Sequence, residues 1–426
     1  MKAIFSKAIF TLAAAAPLLA AMPVSAQPVS ITVQVPYAKP FRVIHESIAA
    51  EFMKHNRGIK IEFRTAYANY DDAIQQVLRG AITGDLPDIT YQGLNRQRVL
   101  VDRGLAVSLS PFIEKEKQWE ARGYTGALMR VGTVGGKVYG MAFAISTPVA
   151  YYNMDLVRKA GWDPQRLPRT WDEVVALGAR IKALGPDYGG LFFHWDVSGN
   201  WMWQSLISGQ GGEMLTADEK KVVFGGDEGK AAIGLIARFV REAGMPNVPS
   251  NAALQMFAAG KLGMLFTTTA YLAQVKKLSD GRFELRTARF PLPAGDARGR
   301  LPAGGNTGMI LAKDQAKQRA AWEYLKFASG PFGSTVMVKA TGYMPPNANA
   351  AGDPAYLKGF YDQNPNHRAA LEQLPVITEW FAYPGENGLK ITDVIRNHLE
   401  TVVSGQGEPA AVLARMVQDV QALLPR

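Results

Sequence analysis

The 426-residue chain contains no cysteine. This excludes disulfide staples, thiolate zinc sites and a cysteine nucleophile, so the fold must rest on its apolar core. Histidine is scarce as well. His45, His55, His194, His367 and His398 lie far apart, and none falls in an HExxH spacing. No metal and no cofactor are expected. There is no GxSxG elbow and no GxxxxGK[ST] phosphate loop. "GGKVYG" and "GGDEGK" carry glycines at other spacings. Beyond the first 26 residues no apolar run is long enough to span a membrane. Lys and Arg outnumber Asp and Glu by 47 to 37, but no five of them are consecutive. The net charge of +10 therefore reads as a solvated surface, and nucleic acid is not an expected partner. The acidic pairs Asp71-Asp72 and Asp218-Glu219 read as a helix start and a solvated turn in preference to catalytic carboxylates.

What is present begins with an export signal. Lys2 and Lys7 precede an apolar stretch from Ala8 to Met22, and Val24-Ser25-Ala26 is a small-residue cleavage pattern. Residues 1–26 are thus expected to be a signal peptide, removed to leave a soluble periplasmic protein starting at Gln27. The remainder is too long for one hydrophobic core, so two lobes are expected.

The hydrophobic pattern then alternates in kind. "ITVQV" (31–35) and "GIKIEFRTA" (58–66) alternate like strands, and "LPDITYQG" (86–93) reads as a third. Between them, residues 41–56 place Ile44, Ile48 and Phe52 at helical spacing. Residues 71–84 bring Ile74, Val77, Leu78 and Ile82 to one helical face, with Asp71 or Asp72 as the cap and Gly84 as the stop. Strand, helix, strand, helix, strand implies a mostly parallel sheet flanked by helices. Such sheets take ligands in the loops beyond the carboxyl ends of their strands. The middle, about 150 to 300, is richer in helix. "LGMLFTTTAYLAQVKKL" reads as a strand, a polar turn and a helix.

The segment "FAISTPVAYYNMDLVRKAGWDPQRLPRTWDEVVALGARIKALG" (143–185) strongly resembles the solute-binding proteins of bacterial ABC importers, family 1, the group that includes maltose-binding protein. "FAAGKLGMLFTTT" (257–269), "GGNTGMIL" (304–311), "TGYMPPNANA" and "KGFYDQNPNHRAALEQLP" (341–375) extend the likeness and bring it closest to the glycerol-3-phosphate-binding branch. The resemblance implies a two-lobed α/β periplasmic binding protein with its ligand cleft between the lobes. Residues 27–145 with 305–343 would form the N-terminal lobe and 146–304 with 344–426 the C-terminal lobe, with hinge crossings near 145, 304 and 344. It implies a non-enzymatic, monomeric protein that captures a small sugar, polyol or glycerol phosphate and delivers it to the permease subunits of an importer. A secreted carbohydrate-active enzyme and a ligand-sensing protein are the alternatives.

The resemblance also carries site residues. Tyr70, Ser146, Thr268 and Thr269 match polar ligand contacts. Gly305 and Asn306 stand at the second crossover and Tyr343 at the third, and Tyr37 is a further candidate. Two positions depart from the branch. Gln92 stands where it has an acidic residue, and Gly385 stands where it has an arginine, with Lys390 as the only nearby substitute. A neutral sugar or polyol gains ground accordingly. In "HWDVSGNWMW" (194–203), Trp201 aligns with a ligand-wall tryptophan of the branch and Ser198 with another. Trp195 and Trp203 are either further wall or core. Trp201 and Trp203 would share a side on a strand and part company on a helix.

Overall fold

The computed structural model describes residues 28–293 and 298–425. The expected signal peptide lies outside the described residues. Two sheets organise the chain. The first has the order β2-β1-β3-β9-β4, from β1 (Val29–Gln34), β2 (Ile59–Phe63), β3 (Ile89–Gly93), β4 (Gly140–Ser146) and β9 (Gly304–Ile310). The second has the order β8-β5-β7-β6, from β5 (Pro148–Asn153), β6 (Gly189–Phe193), β7 (Leu262–Thr268) and β8 (Leu285–Arg289). Each has its own core. Phe41, Phe52, Tyr91, Phe143 and Trp322 fill the first lobe, and Phe193, Trp203, Phe239, Phe266 and Ile391 fill the second.

The α/β, two-lobed class holds, but the sheets are mixed where mostly parallel ones were expected. β1 runs parallel to β2 and β3, and β6 parallel to β7, as βαβ units require. The strands that connect the lobes break the pattern. β9 arrives from the second lobe and inserts antiparallel between β3 and β4. β4 leads through Thr147 alone into β5, which pairs antiparallel with β7 and β8.

Local signals set the element ends. Helix Tyr70–Thr83 starts from Asn69, whose Oδ1 accepts the Asp72 amide, in place of the expected aspartate cap. It stops at Gly84 with φ of 77°, the left-handed conformation glycine adopts freely. Ile82, expected on its buried face, is 87% exposed. It lies in the last turn of the helix. Helix Trp171–Lys182 opens with a capping box, Thr170 and Glu173 each bonding the other's backbone.

Candidate ligand cavity between the lobes

A cavity of about 750 Å³ lies where both sheets present the carboxyl ends of their parallel strands. Its first-lobe wall is Tyr37, Phe41, Tyr70 and Tyr343, and its second-lobe wall is Trp201, Tyr271 and Trp380. Ser146, Gly304 and Gly305, from the connecting strands, also line it.

Three of these rings lie against a glycine. A Cβ on Gly93 would come within 2.9 Å of the Tyr70 ring. On Gly304 it would come within 2.9 Å of the Trp201 ring and 2.6 Å of Ser146 Oγ. On Gly199, where φ is +64°, it would meet the Trp380 ring at 2.7 Å. Each notch lets an aromatic ring approach the backbone more closely than a side chain would allow.

The short turn before Trp201 explains its placement. Gly199 and Asn200 both take left-handed φ, and Asn200 Nδ2 bonds the Thr392 carbonyl at 2.8 Å. The chain then enters helix Trp201–Ser208 with Trp201 at its head. Trp201 Nε1 donates to the Pro302 carbonyl at 2.9 Å, and Trp380 Nε1 to that of Gly199 at 3.3 Å. Both indoles thus have their one donor satisfied by backbone and offer ring faces, with centroids 6.2 Å apart.

On the opposite wall the hydroxyls are tied to one another, Tyr70 bonding Tyr343 and Tyr37 bonding the Tyr70 backbone. Asn306 Nδ2 donates to the Tyr70 hydroxyl at 3.1 Å. Burial pushes the Tyr37, Tyr70 and Tyr343 phenols upward, so all three stay protonated. Tyr37 is held at φ of 51°, a conformation rare outside glycine and asparagine. On the second lobe, His194 follows β6 and meets β7 and the turn after it. Its Nδ1 lies 2.7 Å from Thr267 Oγ1, and its ring stacks on Tyr271 at 6.1 Å. Burial holds this imidazole below its usual range, with Asp196 pulling the other way.

Of the residues expected at the site, Tyr70, Ser146, Trp201, Thr268, Gly305, Tyr343 and the further candidate Tyr37 line the cavity. Asn306 stands behind Tyr70. The rest do not line the cavity. Gln92 is buried in the middle of the first sheet, where its amide donates to Thr90 Oγ1. Thr269 is taken up by the crossover, its amide bonding the Thr147 carbonyl and its hydroxyl accepting the Thr147 amide. Trp203 points into the second-lobe core, edge to face with Phe224 at 6.1 Å, because two positions on a helix turn it away from Trp201. Trp195 also packs in that core. Lys390 is exposed on helix Gly388–Val403, away from the cavity. The cation at the cavity edge is instead Lys277, in the last turn of helix Leu272–Ser279. Sequence reasoning missed Trp380, Tyr271 and Lys277. Among the described residues no three His, Asp or Glu are grouped to hold a metal ion, and no helix is long and apolar enough to cross a membrane.

Comparison with known proteins agrees with this geometry. Residues 38–332 match the bacterial extracellular solute-binding protein family. The sn-glycerol-3-phosphate-binding periplasmic protein UgpB of Escherichia coli is 23% identical over 393 residues, 89% of each chain. UgpB from Mycobacterium tuberculosis, solved with glycerophosphocholine, superimposes with a TM-score of 0.80 at 20% identity, over 93% of this chain and 98% of that one. The sugar-binding protein MalE from Xanthomonas citri does so with a TM-score of 0.80 at 21% identity, over 93% and 97%.

Proposed function

Because this chain belongs to the bacterial extracellular solute-binding proteins, we propose that it is the periplasmic binding component of an ABC importer and captures a small polyhydroxylated ligand. The lobes close on that ligand about the crossings near 145, 304 and 344, and the closed form is handed to the permease. The supporting observation is the pairing of the two walls: indoles whose donors are spent on backbone on one side and protonated phenols on the other. A sugar ring has the matching halves, an apolar C–H face and an edge of hydroxyls. Closure needs only contacts that are better in the closed state than in the open one. The described cavity lining includes no Asp or Glu. The paired acids of glycoside hydrolysis have no place in such a wall, which favours binding over turnover.

One feature supports a second reading. Lys277 is the charged residue at the cavity edge, and it makes no ion pair among the described residues. Similarity to proteins named for glycerol-3-phosphate and solved with glycerophosphocholine adds to it. A phosphate ester would bind with its anionic group at that edge.

A melting screen separates the two. A ligand at about 100 times its Kd stabilises the folded protein by about 2.7 kcal/mol, a shift of a few degrees. The expected result is a shift with a neutral sugar such as maltose that barely responds to salt. A larger, salt-sensitive shift with sn-glycerol-3-phosphate or glycerophosphocholine selects the second reading. Hydrolysis of the bound sugar would overturn both.

A further inference from the structure

A second, smaller cavity of about 370 Å³ shares Trp380 with the first, and an ion pair between the lobes stands in its wall. Arg98 lies on the first-lobe helix Gln97–Asp102, and Glu219 lies in a turn of the second lobe closed by the Leu215–Val222 bridge. Arg98 Nη1 bonds the Glu219 carboxylate. The same guanidinium has a second partner on its own helix, Asp102, at 3.3 Å from Nε.

The turn is built to present that carboxylate. The Thr216 carbonyl accepts the Glu219 amide at 2.8 Å, and Asp218 bonds the Thr216 hydroxyl and the Lys220 amide. Gln421 anchors the turn to helix Pro409–Gln421 through Val222 and Lys220. Glu219 itself takes φ of 60°, a backbone conformation that glycine or asparagine would accept far more readily. Such an outlier points to a use for the side chain it displays.

We propose that Arg98 and Glu219 form a latch that sets ligand affinity without touching ligand. Parting the lobes breaks this pair and leaves the Arg98–Asp102 pair intact. In the open state Arg98 keeps a partner and the part-exposed Glu219 carboxylate passes to water, so the pair favours the closed state. The two side chains are about one-third exposed, so the pair is of the screened, surface kind. Its effect is a shift of up to about fivefold in the closed-to-open ratio, and in Kd wherever the free protein is mostly open. The affinity effect rests on the lobe-closing reading above.

The cysteine-free chain allows a direct test. Ile82 is 87% exposed on a first-lobe helix, and the Asp227 side chain is 97% exposed on a second-lobe helix. Spin labels on Ile82→Cys and Asp227→Cys report the lobe separation by pulsed electron paramagnetic resonance, with and without maltose. The expected result is a gain of long distances in Arg98→Gln and in Glu219→Gln, with no further gain in the double variant. Raising salt from ~0.01 M to ~1 M should reproduce it in the otherwise wild-type protein and do nothing in the variants. Glu219→Asn, which suits the left-handed turn, controls for folding: it should open the lobes without lowering the melting point. Distance distributions identical to wild type in all three single variants, at both salt levels, would overturn the latch. A latch effect with no response to maltose, to sn-glycerol-3-phosphate or to glycerophosphocholine would count against the ligand reading alone.

Discussion

On the first-lobe wall of the cavity, Tyr37 meets Tyr70 edge to face at 5.3 Å, and Phe41 lies 5.7 Å from Tyr343. The rings brace one another, and Asn306 orients a hydroxyl at the end of one of them. Across the cavity, Trp201 and Trp380 are fixed by their Nε1 donors to backbone carbonyls and lie over glycines. Both walls are aromatic, but their polar atoms are spent differently. The tyrosine wall holds hydroxyls in place, while the tryptophan wall has used its donors and presents only surface. Aromatic content alone therefore does not define a sugar site. What matters is which atoms remain free once the fold is satisfied.

The most demanding test of this contrast uses two tryptophans two positions apart. Trp203 is fully buried in the second-lobe core, so Trp203→Ala should cost about 3–5 kcal/mol of folding stability. Denaturant titration would read this, and the ligand-induced melting shift should survive in the fraction that folds. Trp201 is 2% exposed yet lines the cavity. Its truncation should cost both stability and roughly 1–3 kcal/mol of binding. Gly304→Ala refines the test by leaving the indole present and crowding it from behind. Retained binding in Gly304→Ala together with loss of binding in Trp203→Ala would reverse the assignment of wall and core.

These pairs also mark what the sequence can reveal. The strand and helix pattern of residues 28–83 is readable because burial there is periodic. The family likeness is readable from 143–185 and 341–375. Trp201 against Trp203 is ambiguous in the sequence, since their relative direction depends on whether the segment is strand or helix, and Gly199-Asn200 hides the helix start. Gln92 misleads because β3 is buried along its whole length, so alternation carries no signal there. Thr269 misleads because a crossover consumes the same hydroxyl that a ligand would. Trp380 has no local signal. Its partner is Gly199, 181 positions earlier in the chain, and only the folded chain brings them together. Tyr271 could have been found, as it follows the carboxyl end of β7, where such sheets place ligand contacts.

Both lobes should lose stability in acid. Burial holds His45, in the first-lobe core, down to about 3, with Arg42 adding to the effect. It is stacked on Phe143 at 4.1 Å, and neither ring nitrogen has a partner among the described residues. In the second lobe His194 is likewise lowered. Above pH about 6.5 each imidazole is neutral in both the folded and unfolded chains, so it is indifferent to pH. Below that the unfolded chain takes up protons that the folded chain refuses, and stability falls as pH drops. For His45 the loss approaches about 1.4 kcal/mol per pH unit, about 2 kcal/mol by pH 5, and His194 acts in the same direction. His45→Phe should flatten this slope for the first lobe and leave the second-lobe slope unchanged. Calorimetric scans at pH 7.5 and pH 5 would check it, and equal slopes in variant and wild type would refute it.

The finest distinction is a single oxygen. Tyr70→Phe keeps the ring that rests on Gly93 and removes only the hydroxyl that Asn306 orients. If the tyrosine wall acts through its hydroxyls, ligand affinity should fall by about 0.5–1.5 kcal/mol, the net worth of one hydrogen bond. Folding should also weaken slightly, because Asn306 Nδ2 loses a buried partner and Asn306 Oδ1 already has none among the described residues. Calorimetry with the best ligand from the screen separates the effects, since the binding loss should persist where both proteins are fully folded. The same substitution discriminates between ligands. A sugar that bonds the hydroxyl loses affinity, whereas a ligand that only packs on the ring is unaffected. An unchanged Kd for every ligand that binds would make the tyrosine wall a second flat surface and erase its difference from the tryptophan wall.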